Sequence, residues 1–175
     1  MKRRPLDQNV FLIGFMGSGK SSVSLQLADM TGMPKAEMDQ ILTDREDLSI
    51  AEIFAQKGEP YFRAQETKLL KEFASTGPQV VSCRGGVIMK DENIEEMRKS
   101  GTIVCLTATP EIIYERVKDS RERPLLNGNM NVEYIAELME ARRPFYEKAA
   151  DMTIDTSHMR IDKVAEAILE AITVQ

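Results

Sequence analysis

The sequence has no tryptophan and little histidine or cysteine, with one His and two Cys among its 175 residues. A single histidine and the absence of a Cys-x2-Cys pair exclude the usual zinc sites. The two cysteines, Cys83 and Cys105, lie in apolar, strand-like segments. We therefore expect two buried, reduced thiols and no disulfide, as is typical of a cytosolic protein.

Long apolar runs and an excess of positive charge are also missing. No segment approaches the roughly 20 apolar residues of a membrane span, and the apolar run after the basic start Lys2-Arg3-Arg4 is too short for an export signal. The net charge of −5 argues against a broad nucleic-acid surface. We expect a cytoplasmic monomer whose partner is a small-molecule substrate, with neither nucleic acid nor membrane.

The octet GFMGSGKS, from Gly14 to Ser21, fits the P-loop pattern Gly-x4-Gly-Lys-[Ser/Thr] at every fixed position. A strand-like apolar run precedes it and a helix-period segment follows it, so backbone N–H groups can converge on phosphate there. Lys20 can reach the β- and γ-phosphates and the Ser21 hydroxyl can ligate Mg²⁺. We therefore predict binding of a nucleoside triphosphate and Mg²⁺, with nucleotide contacts from Gly17, Ser18, Gly19, Lys20, Ser21 and Ser22.

Strand-like runs alternate with helix-period segments, which predicts a single α/β domain over residues 1–175 with a mostly parallel sheet. The predicted strands are Asn9–Ile13, Lys35–Met38, Gln79–Cys83, Thr102–Leu106 and Met152–Asp155. The predicted helices are Ser22–Met30, a capping-box helix from Ser49 to about Gly58, Glu59–Phe73, Asp91–Lys99, Thr109–Ser120, Val132–Ala149 with a kink or break at Pro144, and Ile161–Ile172.

Two features suggest phosphoryl transfer. Glu37 and Asp39 follow the second predicted strand, where strand alternation puts them on one side, suited to metal-water ligation and to orienting an acceptor hydroxyl. A solvated acidic turn is the alternative interpretation. The segment at about 119–131 has no clear period and predicts a lid, with Arg121 and Arg123 able to fold over phosphate.

Further segments match one family in chain order: GFMGSGKSS at 14–22, EMD at 37–39, SIAEIF at 49–54, GE at 58–59, FRAQE at 62–66, VVSCRGG at 80–86, RPLL at 123–126, RRPFY at 142–146 and IDT at 154–156. From about residue 9 to 172 the chain resembles the shikimate kinase family. The resemblance implies a P-loop, nucleoside-monophosphate-kinase-like fold: a three-layer sandwich around a five-stranded parallel sheet of order 2-3-1-4-5. It also implies ATP-dependent phosphorylation of the shikimate 3-hydroxyl, a step of chorismate and aromatic amino acid biosynthesis.

The resemblance also implies roles in a substrate-binding region of about 37–66 and beyond it. Arg63 and Arg142 would grip the substrate carboxylate, since a guanidinium fork matches that geometry. Asp39 would bond ring hydroxyls and act as base or orienter, and the backbone at Gly85 and Gly86 would approach the substrate closely. An ordinary surface ion pair with Glu59 or Glu66 is the alternative for Arg63.

On the phosphate side, the resemblance implies catalytic roles for Lys20 and for Arg123, which would swing in with the lid onto the γ-phosphate. Arg116 would stack on adenine. Ser21 and Glu37 would serve the metal.

The chain departs from the family pattern at three places. Glu37 stands for the first Asp of an Asp-x-Asp pair, Arg84 for the first Gly of a triple glycine, and Met159 near the late adenine-loop Arg, with Arg160 one residue on. Two alternatives stay open at this stage: a related kinase for gluconate or another hydroxy acid, and a non-catalytic nucleotide-binding module.

Overall fold

A five-stranded parallel sheet lies at the centre of the computed structural model, which describes residues 6–118 and 131–174. The strands are β1 (Asn9–Gly14), β2 (Lys35–Glu37), β3 (Val80–Ser82), β4 (Gly101–Thr107) and β5 (Met152–Asp155). They run in the order β2-β3-β1-β4-β5, and each neighbouring pair is parallel. The predicted sheet and its order are confirmed.

Helices connect the strands and cover both faces of the sheet. They are α1 (Lys20–Thr31), α2 (Met38–Glu46), α3 (Ile50–Lys57), α4 (Glu59–Ser75), α5 (Asp91–Ser100), α6 (Pro110–Val117), α7 (Val132–Ala149) and α8 (Ile161–Val174). A short 3-10 helix covers Gly85–Met89. Apart from residue 131, the predicted lid at about 119–131 lies outside the described residues, and Arg121 and Arg123 lie there with it.

The alternation of side chains along β1 produces the three layers. Phe11 and Ile13 belong to one hydrophobic cluster, together with residues of α4 and α5, whereas Val10 and Leu12 belong to another, together with residues of α1 and α8. All four side chains are buried. A continuous apolar run is what a strand covered on both faces requires. Since β1 is the third of the five strands, its carboxyl end lies at the middle of the sheet edge.

Two local expectations need correction. Helix α2 begins at Met38, so β2 ends at Glu37, and strand alternation does not place Asp39, which lies in the first turn of α2. Glu37 keeps an extended backbone as the N-cap residue, and the chain turns helical immediately after it. The break considered at Pro144 is also wrong, since α7 continues through this residue and buries Ile135 before it and Tyr146 after it.

The capping box is present as predicted. Ser49 Oγ accepts a hydrogen bond from the Glu52 N–H at 3.1 Å, and Glu52 Oε1 accepts one from the Ser49 N–H at the same distance. This reciprocal pair satisfies two backbone donors at the start of α3 and sets where the chain turns from α2 into α3. Within the described ranges, no helix is both long and apolar enough to cross a bilayer.

Both cysteines are buried and unbridged, as predicted. Burial raises the pKa of the Cys105 thiol to about 11 and also raises the pKa of Cys83 above its usual range. Since the thiolate is the reactive form, neither side chain is suited to nucleophilic or redox chemistry near neutral pH.

We predict that an aromatic disulfide reagent at pH 8 labels neither thiol in the native protein and labels two thiols per chain after unfolding in denaturant. The reason is that burial both blocks access and leaves little thiolate at that pH. Absorbance of the released chromophore measures the count. Rapid labelling of one thiol under native conditions would contradict the burial of that cysteine.

Candidate active site

The P-loop follows the central strand directly. Gly14, Gly17 and Gly19 all have positive φ angles, of 147°, 78° and 106°. At Gly14 a Cβ atom would lie 2.4 Å from the Leu106 carbonyl oxygen of the neighbouring strand, so both the backbone angle and the close approach require glycine. The loop therefore packs tightly against the end of β4 and delivers the chain into the N-terminus of α1.

Lys20 folds back across the loop. Its Nζ donates to the Gly14 carbonyl at 2.6 Å and to the Phe15 carbonyl at 3.2 Å. Among the described residues, the buried Ser18 hydroxyl of the same loop has no hydrogen-bond partner, and a buried polar group of this kind is costly unless something satisfies it. The lysine and the unsatisfied hydroxyl lie where the backbone N–H groups of a P-loop converge on phosphate.

Two side chains from elsewhere brace this loop. Thr156, buried just after β5, donates from Oγ1 to the Ser18 carbonyl at 2.8 Å. Arg116 of α6 donates to the Gly17 carbonyl at 2.9 Å and to Thr156 Oγ1 at 3.1 Å. The bracing role of Thr156 was missed from the sequence, where the IDT segment at 154–156 was its only signal. Arg116 thus bonds a backbone carbonyl of the P-loop, and its contact with adenine stays a prediction.

Ser21 and Glu37 lie next to each other, as the metal-site prediction requires. Ser21 Oγ is 3.4 Å from Glu37 Oε2, which brings a hydroxyl and a carboxylate together at the start of α1. Among the described residues, no group of three or more acidic, His or Cys side chains is placed to hold a metal. The pair fits Mg²⁺, which commonly keeps waters and binds few protein ligands together with substrate phosphates.

Four of the residues predicted to bind substrate lie together at the start of the 3-10 helix that follows β3, whose first two residues are Gly85 and Gly86. A Cβ atom on Gly86 would lie 2.4 Å from Arg63 Nη1, and one on Gly85 would lie 2.8 Å from Arg142 Nη1. The two guanidinium groups therefore rest directly against the backbone of this turn. The sequence predicted a close approach to the backbone at these glycines. In the structure, the groups that approach it are the two arginine side chains.

Arg63 also makes the ion pairs that were its alternative interpretation. Its Nη1 donates to Glu66 Oε1 at 2.8 Å, and its Nη2 donates to Glu59 Oε1 at 3.3 Å. The two roles are compatible, because the carboxylates orient the guanidinium while about a third of the side chain remains exposed.

Glu66 contacts both Arg63 and Arg84 and so links the residues of this cluster. It was not singled out for this role from the sequence. Its side chain is fully buried and faces two arginines, Arg63 at 2.8 Å and Arg84 at 3.6 Å. Burial raises the pKa of the Glu66 carboxyl, while the charges of Arg63 and Arg84 oppose that rise. The signal that pointed to it was the final residue of the FRAQE segment, one turn beyond Arg63.

Arg84 connects this buried acid to the open side of the site. Its Nη1 is 3.1 Å from Asp39 Oδ1, and its guanidinium carbon lies 5.0 Å from the centre of the Phe62 ring. Asp39 therefore belongs to the same cluster as Arg63, Gly86 and Glu66, although its position comes from helix α2 and not from a strand.

Tyr146 lies behind Arg142 in α7. Burial raises the pKa of the Tyr146 hydroxyl, and the nearby positive charge of Arg142 opposes this. The RRPFY segment therefore places one side chain at the site and one in the core. Arg143, between them, points to solvent and pairs with Glu140 at 2.7 Å.

A P-loop at the centre of a parallel sheet, on the same sheet edge as a cluster of arginines and a carboxylate, defines a P-loop kinase of the nucleoside-monophosphate-kinase-like type. The sequence profile described as shikimate kinase matches residues 16–173. This chain belongs to the shikimate kinase family, as the motif resemblance predicted.

Individual relatives agree with this assignment. The shikimate kinase of Geobacter metallireducens is 40% identical over 161 residues, covering 92% of this chain and 89% of the relative. That of Thermodesulfovibrio yellowstonii is 39% identical over 163 residues, covering 93% and 94%. The solved structure of shikimate kinase from Acinetobacter baumannii in complex with shikimate has a TM-score of 0.86 at 30% identity, covering 95% and 93%.

A gluconokinase from Sinorhizobium meliloti has a similar structure, with a TM-score of 0.62 at 19% identity, covering 97% of this chain and 94% of that chain. At that identity the likeness shows the shared fold alone. It therefore gives no support to gluconate as the acceptor.

We predict that Glu66→Gln lowers the free energy of unfolding by about 1 to 3 kcal/mol, because it weakens the charge-assisted contacts that Arg63 and Arg84 make with this buried side chain. Urea unfolding followed by circular dichroism measures the change. Glu140→Gln is the matched control, since its pair with Arg143 is exposed and surface pairs contribute little. An unchanged unfolding midpoint for Glu66→Gln would show that this carboxylate does not hold the cluster together.

Proposed function

We propose that this protein transfers the γ-phosphoryl group of ATP to the 3-hydroxyl of shikimate, giving shikimate 3-phosphate and ADP. The observation that carries the proposal is the convergence of Arg63 and Arg142 on Gly85 and Gly86, beside Asp39 and on the sheet edge that bears the P-loop. Family membership favours this function over a gluconate kinase or a non-catalytic module, because the relatives named above are shikimate kinases.

The acceptor would be held by its carboxylate. Two guanidinium groups placed against a turn without Cβ atoms form a site for a planar anion, and Arg matches carboxylates with paired N–H donors. Shikimate carries one carboxylate and several hydroxyls, so fixing the carboxylate between Arg63 and Arg142 would leave its hydroxyls facing the remaining polar groups of the cluster. Gly85 and Gly86 lack Cβ atoms and so allow the two guanidinium groups to lie against the backbone, where they would meet the carboxylate.

Asp39 would orient the hydroxyl that reacts. Its side chain is more than half exposed and lies at the open side of the cluster. A carboxylate there can accept the proton of the attacking hydroxyl as the bond to phosphorus forms. Holding that hydroxyl in line is the main task of a kinase, since phosphoryl transfer depends chiefly on positioning and charge stabilisation.

The nucleotide would bind along the P-loop. Backbone N–H groups from Gly17 to Ser22 would bind its phosphates, and Lys20 would leave the Gly14 carbonyl to reach the β- and γ-oxygens. Ser21 and Glu37 would hold Mg²⁺, Glu37 through water, and the ion neutralises charge on the phosphates. Arg123 would close over the γ-phosphate with the lid, and Arg116 would contact adenine.

We further propose that residues 1–175 act as one kinase domain in a cytoplasmic monomer. The support is the composition: 175 residues, moderate negative charge and reduced, buried thiols.

We predict shikimate-dependent ADP release in the presence of MgATP, with gluconate and nucleoside monophosphates giving none. Asp39→Asn should lower kcat by about 10²- to 10⁴-fold, because it removes the proton acceptor while keeping the side-chain shape. A coupled assay of ADP measures both. A wild-type protein that binds ATP but releases no ADP with shikimate would refute the proposed function.

We also predict that Arg142→Met raises the KM for shikimate about 10- to 100-fold through loss of charged hydrogen bonds to its carboxylate. Arg143→Met is the matched control, because the neighbouring guanidinium pairs with Glu140 at the surface, and its KM should stay at the wild-type value. Initial rates over a range of shikimate concentrations give both constants. Equal effects of the two variants would exclude a specific role for Arg142.

A further inference from the structure

Arg84 is held on three sides at the carboxyl end of the sheet. It follows β3 and precedes the 3-10 helix with an extended backbone. Its Nη1 lies 3.1 Å from Asp39 Oδ1, its Nε lies 3.6 Å from Glu66 Oε2, and the Phe62 ring lies 5.0 Å from its guanidinium carbon. These three contacts offset the entropy lost when a long, flexible arginine side chain is held in one orientation.

The exposure of these groups changes from the core outward. Glu66 has a fully buried side chain, Arg84 keeps 22% of its side chain exposed, and Asp39 keeps 59% exposed. Within the described part of the chain, the buried atoms Arg84 Nε and Glu66 Oε2 have no hydrogen-bond partner, so the inner contact is one of charge and the hydrogen bond is made at the outer end, to Asp39. The buried acid thus fixes the arginine, and the arginine in turn contacts the exposed acid.

In the ranges that the structure describes, the side chain of Asp39 is bonded by Arg84 and by no second side chain. It lies in the first turn of α2, where a short exposed side chain would ordinarily exchange between rotamers. A charge-assisted hydrogen bond from a confined guanidinium restricts that exchange. It also occupies one oxygen, Oδ1, and so distinguishes it from Oδ2.

We propose that Arg84 is a positioning residue that orients Asp39 for phosphoryl transfer, by binding Oδ1 so that Oδ2 accepts the hydrogen bond of the acceptor hydroxyl. The inference rests on the proposed function. Arg84 acts through Asp39, whereas Arg63 and Arg142 lie against Gly86 and Gly85 and bind the substrate. Its loss therefore affects the reaction of bound substrate more than substrate binding.

The test compares steady-state kinetics of Arg84→Met and Arg84→Lys with the wild type. We expect Arg84→Met to lower kcat about tenfold, as loss of one partly exposed charge-assisted hydrogen bond would, with the KM for shikimate within about twofold of wild type. Arg84→Lys, which keeps the charge, should fall between the two. Arg45→Met is the matched control, because Arg45 pairs with Glu72 at 2.7 Å on the surface and should leave both constants unchanged.

A double-mutant cycle decides whether Arg84 acts through Asp39. If it does, adding Arg84→Met to Asp39→Asn changes kcat little further, because the oriented carboxylate is already gone. An equal tenfold loss in the Asp39→Asn background, a change in KM alone, or an unchanged kcat in Arg84→Met would each overturn the inference.

Separate controls distinguish a folding defect, and a failure of the proposed function, from a failure of the role proposed for Arg84. Thermal unfolding of each variant detects loss of the Glu66 contact, and Arg84→Lys carries the same cycle if Arg84→Met does not fold. An inactive wild type contradicts the proposed function, whereas an active wild type with an equally active, folded Arg84 variant contradicts only the role of Arg84.

Discussion

The buried carboxylate of Glu66 is the constraint on which the cluster of Arg63, Arg84 and Asp39 depends. A charge without solvent must be paired, and here Arg63 and Arg84 share the pairing at 2.8 Å and 3.6 Å. The same two arginines reach outward, Arg63 to the backbone at Gly86 and Arg84 to Asp39. One buried acid thereby sets the positions of side chains from α4, from the end of β3 and from α2.

The parallel sheet explains why the two halves of the site meet. The carboxyl ends of the strands lie at one edge, and residues of the candidate site lie at the ends of β1, β2, β3 and β5. The P-loop follows β1, Glu37 ends β2, Arg84 comes after β3 and Thr156 after β5. Ligands bind at this edge in open α/β sheets, so the P-loop and the cluster of Arg63, Arg84 and Asp39 lie at the same edge although they are far apart in the chain.

The sequence predicted those features of the fold and site whose residues lie close together in the chain. The octet from Gly14 to Ser21 predicted the loop because its pattern and flanking elements are contiguous, and the Ser49 capping box was confirmed for the same reason. The ion pairs of Arg63 with Glu59 and Glu66 follow from positions three and four residues apart on a helix. The strand order was expected from family resemblance, since no local pattern contains it.

The position of Asp39 and the contacts of Arg84 show where local reasoning ends. Period-two alternation was applied to Asp39, but the chain becomes helical at Met38, and a boundary error of one residue changed the element that carries the side chain. In the sequence, Arg84 was noted as the residue that stands for the first Gly of a triple glycine, and that pattern contains nothing of its contacts. The sequence by itself determined which residue types follow each strand, whereas the pairing of Arg84 with Asp39, 45 positions away, was decided by the tertiary structure, because β2 and β3 are neighbours in the sheet and their ends bring distant residues into contact.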